Sequence, residues 1–358
     1  MLEWLLQSEF DTPVTAAAWT TAVAIFSTIV LFIYSLGLRA ATILADRRHQ
    51  RLVALWRDLF AAAIVSEEAA RNNPLPTLRR HERIQLLEEW NLARSAVTGD
   101  ATDNLIIIAK RVGLPGLVQN MLRKRRLSSK LLGLQTLGHL RDKESWGAVS
   151  NFVDSPNSVL SVTAAVALVN IDAELALRNL VPMIEIRRDW LRTRVASFLQ
   201  SAGSELVSEP LFRAIRSADP DNQIYLLKFA PLAETAVGEA IAEDLIRSSS
   251  HPGVLGAALE LLSGHAGLPR IGALAAHEVW YVRLRAAQLL GRAGHEEHLP
   301  LLESLLTDRE WWVRYRAAQS ITSLPFVGPN ALRQLRQRQT DPFARDILQQ
   351  AAAEAGLA

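Results

Sequence analysis

The sequence predicts an all-α chain, an N-terminal transmembrane helix followed by an α-solenoid of short stacked helix pairs. Three observations predict it. An uncharged apolar run lies near the N-terminus, one motif returns at a constant spacing toward the C-terminus, and apolar residues between them follow the i, i+3, i+4 spacing of one helix face.

The uncharged run extends from Ala16 to Leu38 and reads AAAWTTAVAIFSTIVLFIYSLGL. About 20 apolar residues in a helix cover a ~30 Å hydrocarbon core. Thr and Ser hydroxyls can return to the helix backbone, and Trp19 and Tyr34 sit near the two ends, where amphipathic rings favour the interface. The flank before the run is acidic (Glu3, Glu9, Asp11) and the apolar stretch is long, which argues against a cleaved signal peptide with its basic start and core of roughly 7–15 residues. Residues 39–130 carry 17 Lys+Arg against 9 Asp+Glu, whereas no basic residue precedes Arg39. The positive-inside rule therefore expects residues 1–15 outside and everything after the span in the cytoplasm.

Residues 39–73 read as a juxtamembrane amphipathic helix. Leu52, Leu55, Trp56, Leu59, Phe60, Ala63 and Ile64 share one face, and neither Pro nor Gly interrupts before Asn73-Pro74, where the helix is expected to stop. The stripe packs on the following domain, on the membrane, or on a partner's helix. Residues 77–128 form an irregular helical cap with turns expected at Gly99-Asp100 and Leu114-Pro115-Gly116.

Residues 129–358 are the repeat array. WYVRLRAAQ at 280–288 and WWVRYRAAQ at 311–319 agree at seven of nine positions. With Val282 and Val313 as anchors, weaker copies stand at Ser129, Leu160, Leu191, Asn222, Gly253 and Ala344. The step between them is the same throughout, except that it shortens by two positions between Gly253 and Val282. Each unit has a polar turn, a helix with small central residues (Ala164-Ala165, Ala286-Ala287, Ala317-Ala318), a break expected near Gly138, Gly203, Gly264 or Gly291, and a second Leu-rich helix such as 299–306. One such unit cannot bury its apolar face alone, but stacked copies can.

The V-R-x-R-A-A at 282–287 and 313–318, with Asp308 before the second, resembles the HEAT repeat family, in the short variant known from phycobilisome lyases. The resemblance covers roughly residues 127–358. It implies an α-solenoid in which Asp308, Arg283, Arg314 and Arg192 are structural ties between neighbouring repeats.

The absence of cysteine excludes thiolate catalysis, zinc ribbons and iron–sulfur sites. His295-Glu296-Glu297-His298 lacks the H-E-x-x-H spacing and reads as a solvated polar turn. No Gly-rich phosphate loop is present, and no cofactor is implied. The expected function is that of a non-enzymatic, membrane-anchored scaffold, in layout similar to accessory subunits of membrane or envelope assemblies. The alternatives are a lyase-like HEAT-repeat enzyme or a basic-face binder of lipid or nucleic acid. Nucleic acid is disfavoured by the charge of residues 131–358, 22 Lys+Arg against 25 Asp+Glu.

Two sets of residues are candidate contacts. Arg39, Arg47, Arg48 and Arg51 after the span, and the run Arg123-Lys124-Arg125-Arg126, suit anionic lipid at the cytoplasmic face. Trp190, Tyr281, Trp312 and Phe343 stand just before their anchors, with Trp280 and Trp311 one residue earlier. Equivalent repeat positions form a row, so these rings either brace the repeats from within or stay exposed to dock a membrane-associated protein.

Overall fold

The computed structural model describes residues 12–79, 82–263 and 270–357, with side chains described outside 12–16 and 41–49. Among the described residues all regular structure is helical. Two units divide the chain, Met1–Leu117 and Val118–Ala358.

The first unit begins with α1, Thr12–Val65, a single 54-residue helix. Within it Ala17–Ala40 is long and apolar enough to cross a membrane, and every one of these side chains is exposed. Thr20 and Thr21 donate to the Ala17 carbonyl (2.9 and 2.8 Å) and Thr28 to that of Ala24 (2.8 Å), so the hydroxyls are spent on the helix itself. Further along, the apolar stripe is covered: Trp56, Phe60 and Ala63 are buried. They pack against α3 (Glu82–Ser95) and α4 (Asp100–Arg111), whose Leu86, Leu87, Trp90, Leu105 and Ile108 complete this core. Asn104 donates to the Ala63 carbonyl (2.9 Å) and Trp90 to that of Leu105 (2.9 Å), which ties α4 to α1 and α3 to α4.

Two expectations are corrected here. The helix is interrupted at Ser66, before the stop at Asn73. Ser66 is extended (φ −142°, ψ 125°) and caps α2, Glu67–Asn72, by accepting from the Ala69 N–H (3.3 Å), with Glu67 and Glu68 in the first turn where the helix dipole favours them. Leu114-Pro115-Gly116 is no turn. It opens α5, Leu114–Leu122, because proline costs nothing in a helix's first turn, and the turn is made by Val112-Gly113 with Gly113 at φ +75°.

In the second unit the anchor copies become α6 (Leu127–Leu140), α8 (Ser158–Ile171), α10 (Arg192–Ala202), α12 (Pro220–Leu227), α14 (Pro252–Leu261), α16 (Trp280–Ala293), α18 (Trp311–Thr322) and α20 (Pro342–Glu354). Between them lie α7 (Trp146–Ser150), α9 (Ala173–Ile186), α11 (Ser204–Ser217), α13 (Thr235–Ser248), α15 (Ile271–Ala275), α17 (Leu299–Leu305) and α19 (Pro329–Arg338). Anchor helices pack on anchor helices in one layer, α6–α8–α10 and α12–α14–α16–α18–α20, while α9–α11–α13 and α15–α17 form the other. This is an α-solenoid. Between α10 and α12 the anchor layer is weak, since α12 is short and rests on α9 and α11 instead.

The small residues do what close packing asks. Ala164, Ala165, Ala286, Ala287, Ala317 and Ala318 are all fully buried. Gly138 and Gly291 belong with them and are not breaks. A Cβ on Gly138 would lie 2.8 Å from the Ala167 Cα, and one on Gly291 2.6 Å from the Ser320 Cβ. Both glycines occupy the same repeat position, where one anchor helix touches the next. The breaks fall at Arg141 (φ 51°), Gly203 (φ +90°) and Gly294 (φ +69°), while Gly264 lies outside the described residues.

Candidate protein-binding surface

The candidate surface is built on the N-terminal ends of α16, α18 and α20. Each start is set by an acceptor two residues upstream of a free N–H: His277 Nδ1 takes the Val279 N–H (3.1 Å), Asp308 Oδ1 that of Glu310 (2.8 Å), and Asp341 Oδ1 that of Phe343 (3.1 Å). The first motif arginine then locks the turn. Arg283 Nη1 donates to the carbonyls of His277 (2.7 Å) and Glu278 (2.8 Å), and Arg314 Nη1 to those of Asp308 (2.7 Å) and Arg309 (3.3 Å).

Arg283 and Asp308 also form a two-pronged ion pair, Nε–Oδ2 2.6 Å and Nη2–Oδ1 2.8 Å, with side chains 6% and 8% exposed. This pair joins one repeat to the next. Burial raises the Asp308 carboxyl, but the hydrogen bonds from Arg283 and from the Glu310 backbone, with the charges of Arg283 and Arg309, outweigh it and hold the group below the usual carboxylate range. The Arg283 guanidinium is raised in turn, chiefly by its bonds to Asp308. Arg314 has no such acid, because the position that matches Asp308 in the next repeat is Gln339. Arg192 is exposed and makes no tie among the described residues. Its place is taken by Arg187, which donates to the carbonyls of Val153 (2.8 Å) and Ser155 (3.1 Å) and pairs with Asp189.

With the turns locked, the aromatic side chains are aimed. Trp280 is 40%, Trp311 44%, Trp312 57% and Phe343 70% exposed. Trp311 meets Trp312 edge-on (4.8 Å) and stacks on Tyr315 (5.0 Å, 9°), and Trp280 meets Tyr281 edge-on (6.0 Å). Tyr281 is half-buried against Gly256. Large exposed rings at three consecutive repeats make these helix starts the candidate surface, since such rings are enriched where proteins meet.

Trp190 does not belong to this row. It is buried, donates to Ser161 Oγ (3.0 Å), meets Phe198 edge-on and lies beneath the Arg187 guanidinium. The reason is a shifted helix start. Trp280 and Trp311 are the first residues of their helices, whereas α10 starts at Arg192, so Trp190 sits in the preceding turn and points inward.

Among the basic candidates, Arg123, Lys124, Arg125 and Arg126 are exposed in the link between α5 and α6, and Arg39 and Arg51 are exposed on α1. The side chains of Arg47 and Arg48 lie outside the described residues. His298 departs from the solvated turn expected of it. His295, Glu296 and Glu297 are exposed, but the His298 ring is buried and meets His295 edge-on (5.7 Å). Among the described residues no group of three or more His, Asp or Glu side chains could hold a metal ion. Tyr315 and Arg187 escaped sequence reasoning. Tyr315 replaces Leu284 of the sister copy, one of the two differences inside an otherwise repeated motif, and that was the available signal.

Residues 268–355 match the family model for HEAT repeats. Among solved structures, the crystal structure of Kap121p is similar with a TM-score of 0.51 at 13% identity, covering 83% of this chain and 37% of that one. The chain thus spans little more than a third of that protein's length, and the likeness is one of fold. The structure of human deoxyhypusine hydroxylase in complex with glycerol aligns at 15% identity over 78% of this chain and 98% of that one, with a TM-score of 0.20. No curated protein matches the sequence.

Proposed function

We propose that this HEAT-repeat protein is a membrane-anchored scaffold whose C-terminal repeats dock a membrane-associated protein in the cytoplasm, as an accessory subunit of a membrane or envelope assembly. A helical repeat array is suited to protein interaction, because stacking exposes equivalent positions in rows along an extended surface. The observation that carries the reading is the exposed cluster of Trp280, Trp311, Trp312 and Phe343 at three successive helix starts.

Trp311→Arg and Trp312→Arg, made singly in the full chain, are expected to leave the melting temperature within about 2 °C of wild type, as surface substitutions do. Truncating a central aromatic contact costs an interface about 2 kcal/mol or more, so partner recovery by affinity purification from the native membrane should fall at least tenfold. Unfolding of both variants would make the rings part of the core and end the reading.

The anchor in this proposal is Ala17–Ala40, whose apolar side chains are left exposed by the rest of the chain. Arg39, Arg47, Arg48 and Arg51 would meet anionic headgroups on the cytoplasmic side, and the Arg123–Arg126 run is a second lipid contact of the same kind. The cysteine-free sequence makes topology simple to test. A cysteine at Ser8 should react with an impermeant maleimide in intact cells, and one at Ser250, exposed after α13, should react only after lysis. The reverse pattern would invert the orientation.

A further inference from the structure

The two near-identical motif copies carry a second arginine and a glutamine whose roles differ from those of the first arginine. Arg283 and Arg314 turn toward their own loops, but Arg285 and Arg316, two residues on, line an open groove of about 700 Å³ across α14, α16 and α18. Gln288 and Gln319 line it too, each three residues beyond its arginine, and Arg292 adds a third guanidinium. Positive charge there is only partly answered. Glu260 pairs with Arg285 (3.1 Å) and is the one carboxylate in the lining. Arg316 makes no ion pair among the described residues, and its enclosed Nε has no hydrogen-bond partner there. Desolvation, then the neighbouring charge of Arg285, pushes the Arg292 guanidinium down from its ordinary value.

The groove also continues the aromatic cluster. Trp311, Tyr315 and Gln319 follow at i, i+4 and i+8 on one face of α18, the tryptophan stacked on the tyrosine and the Gln319 amide donating to the tyrosine hydroxyl (2.8 Å). A ligand lying on the exposed rings is therefore led along α18 into the arginines.

We propose that this groove binds an extended acidic segment of the partner protein, its carboxylates seated on Arg285 and Arg316 and its backbone met by Gln288 and Gln319. The inference rests on the scaffold reading above and names the chemistry of the partner. Adjacent packed helices stand about 8–10 Å apart, and a segment in the extended polyproline-II conformation has three residues per turn and advances about 3.1 Å per residue, so acidic residues three apart lie on one face and match one repeat spacing. Arginine suits this role because its planar fork receives a carboxylate through two parallel hydrogen bonds. The glutamines favour a peptide over a nucleic acid. Gln288 Oε1 already accepts from Arg285 Nη1 (2.9 Å) and the Gln319 amide nitrogen donates to Tyr315, which leaves the Gln288 amide nitrogen to donate and the Gln319 oxygen to accept; a peptide backbone answers both, whereas a phosphodiester only accepts.

The test uses the full chain in phosphatidylcholine nanodiscs and fluorescence anisotropy at low salt. Three labelled probes are compared: a dodecapeptide with glutamate at every third position, its glutamine analogue, and a single-stranded oligothymidylate of the same charge. The glutamate peptide is expected to bind at least tenfold more tightly than the glutamine analogue. That preference should disappear in Arg316→Gln at unchanged melting temperature and survive in large part in Arg316→Lys. Should Arg316→Gln unfold, Arg285→Gln is read the same way, its side chain being one-third exposed. Equal binding of the two peptides, or a preference indifferent to both variants, overturns the proposal. So does oligothymidylate binding that is lost with Arg316, which would assign the groove to nucleic acid. Co-purification of the native partner separates this from the scaffold reading: if recovery still depends on Trp312 while the peptides are not distinguished, only the groove assignment fails.

Discussion

Asp308→Ala is expected to destabilise the C-terminal repeats by about 3–5 kcal/mol, the usual cost of removing one partner of a buried ion pair. The carboxylate accepts two hydrogen bonds from Arg283 and one from the Glu310 N–H, and both side chains of the pair are almost completely enclosed. Without it the guanidinium keeps its bonds to the His277 and Glu278 carbonyls but holds an unanswered charge away from water. The double variant Arg283→Met/Asp308→Leu should recover much of the loss, because apolar replacement of both partners removes the stranded charge. Chemical denaturation of wild type, Arg283→Met, Asp308→Leu and the double variant, read as a double-mutant cycle, measures the coupling. A cost below about 1 kcal/mol for Asp308→Ala would place the pair among ordinary surface contacts.

The same pair sets a pH response. Asp308 is held below its unfolded value of about 3.9, so its contribution is fully present above that pH and is lost as pH falls through the lower folded value. Wild type should therefore lose stability on acidification below about pH 4 more steeply than Asp308→Ala, which has no carboxylate to protonate at this position.

Ala286→Glu is expected to cost about 4 kcal/mol or more, because a carboxylate at that position would be buried without a partner. Ala286 is fully buried in α16, a helix packed by α14, α15, α17 and α18, so the new carboxylate is taken out of water and its longer chain overfills a close helix contact. Ala287 next to it is equally enclosed, so the helix cannot rotate by one residue to release the charge. In a repeat array each unit is supported by its neighbours. Hydrogen exchange should therefore show protection lost first in α16 and its flanking helices, and wild-type protection in this variant would mean that the repeat register is wrong.

Much of this architecture is legible in the sequence because its causes are local. The constant spacing of the motif places all eight anchor helices within two positions of their starts, since every repeat must present the same apolar face to the next. The exposed run Ala17–Ala40 is legible for a similar reason, composition and length being sufficient. That Arg283 and Asp308 tie neighbouring repeats is implied by the resemblance, and that they pair with each other is seen only in the structure.

The candidate site was only half legible. Which rings are exposed depends on where each helix begins, and one residue turns a helical side chain by about 100°. Trp190 and Trp312 stand at the same distance from their anchors, yet one is 2% and the other 57% exposed because α10 starts later than its sisters. The groove of Arg285 and Arg316 was hidden for a related reason. Two arginines of one motif look alike in sequence, and their separation into a tie and a groove-facing residue depends on two positions of helical rotation.

From its sequence alone this protein was determined to be helical, to repeat one motif at a constant spacing in its C-terminal array and to carry one uncharged run long enough for a bilayer, because propensity, periodicity and hydropathy are properties of neighbouring residues. Tertiary structure decided that Gly138 and Gly291 are contacts and not breaks, that Trp190 is core, that Arg187 replaces Arg192, and that Trp56 and Phe60 are covered by α3 and α4. Each of those outcomes turns on how closely one helix approaches another, a distance set by side chains far apart in the chain and by no local preference.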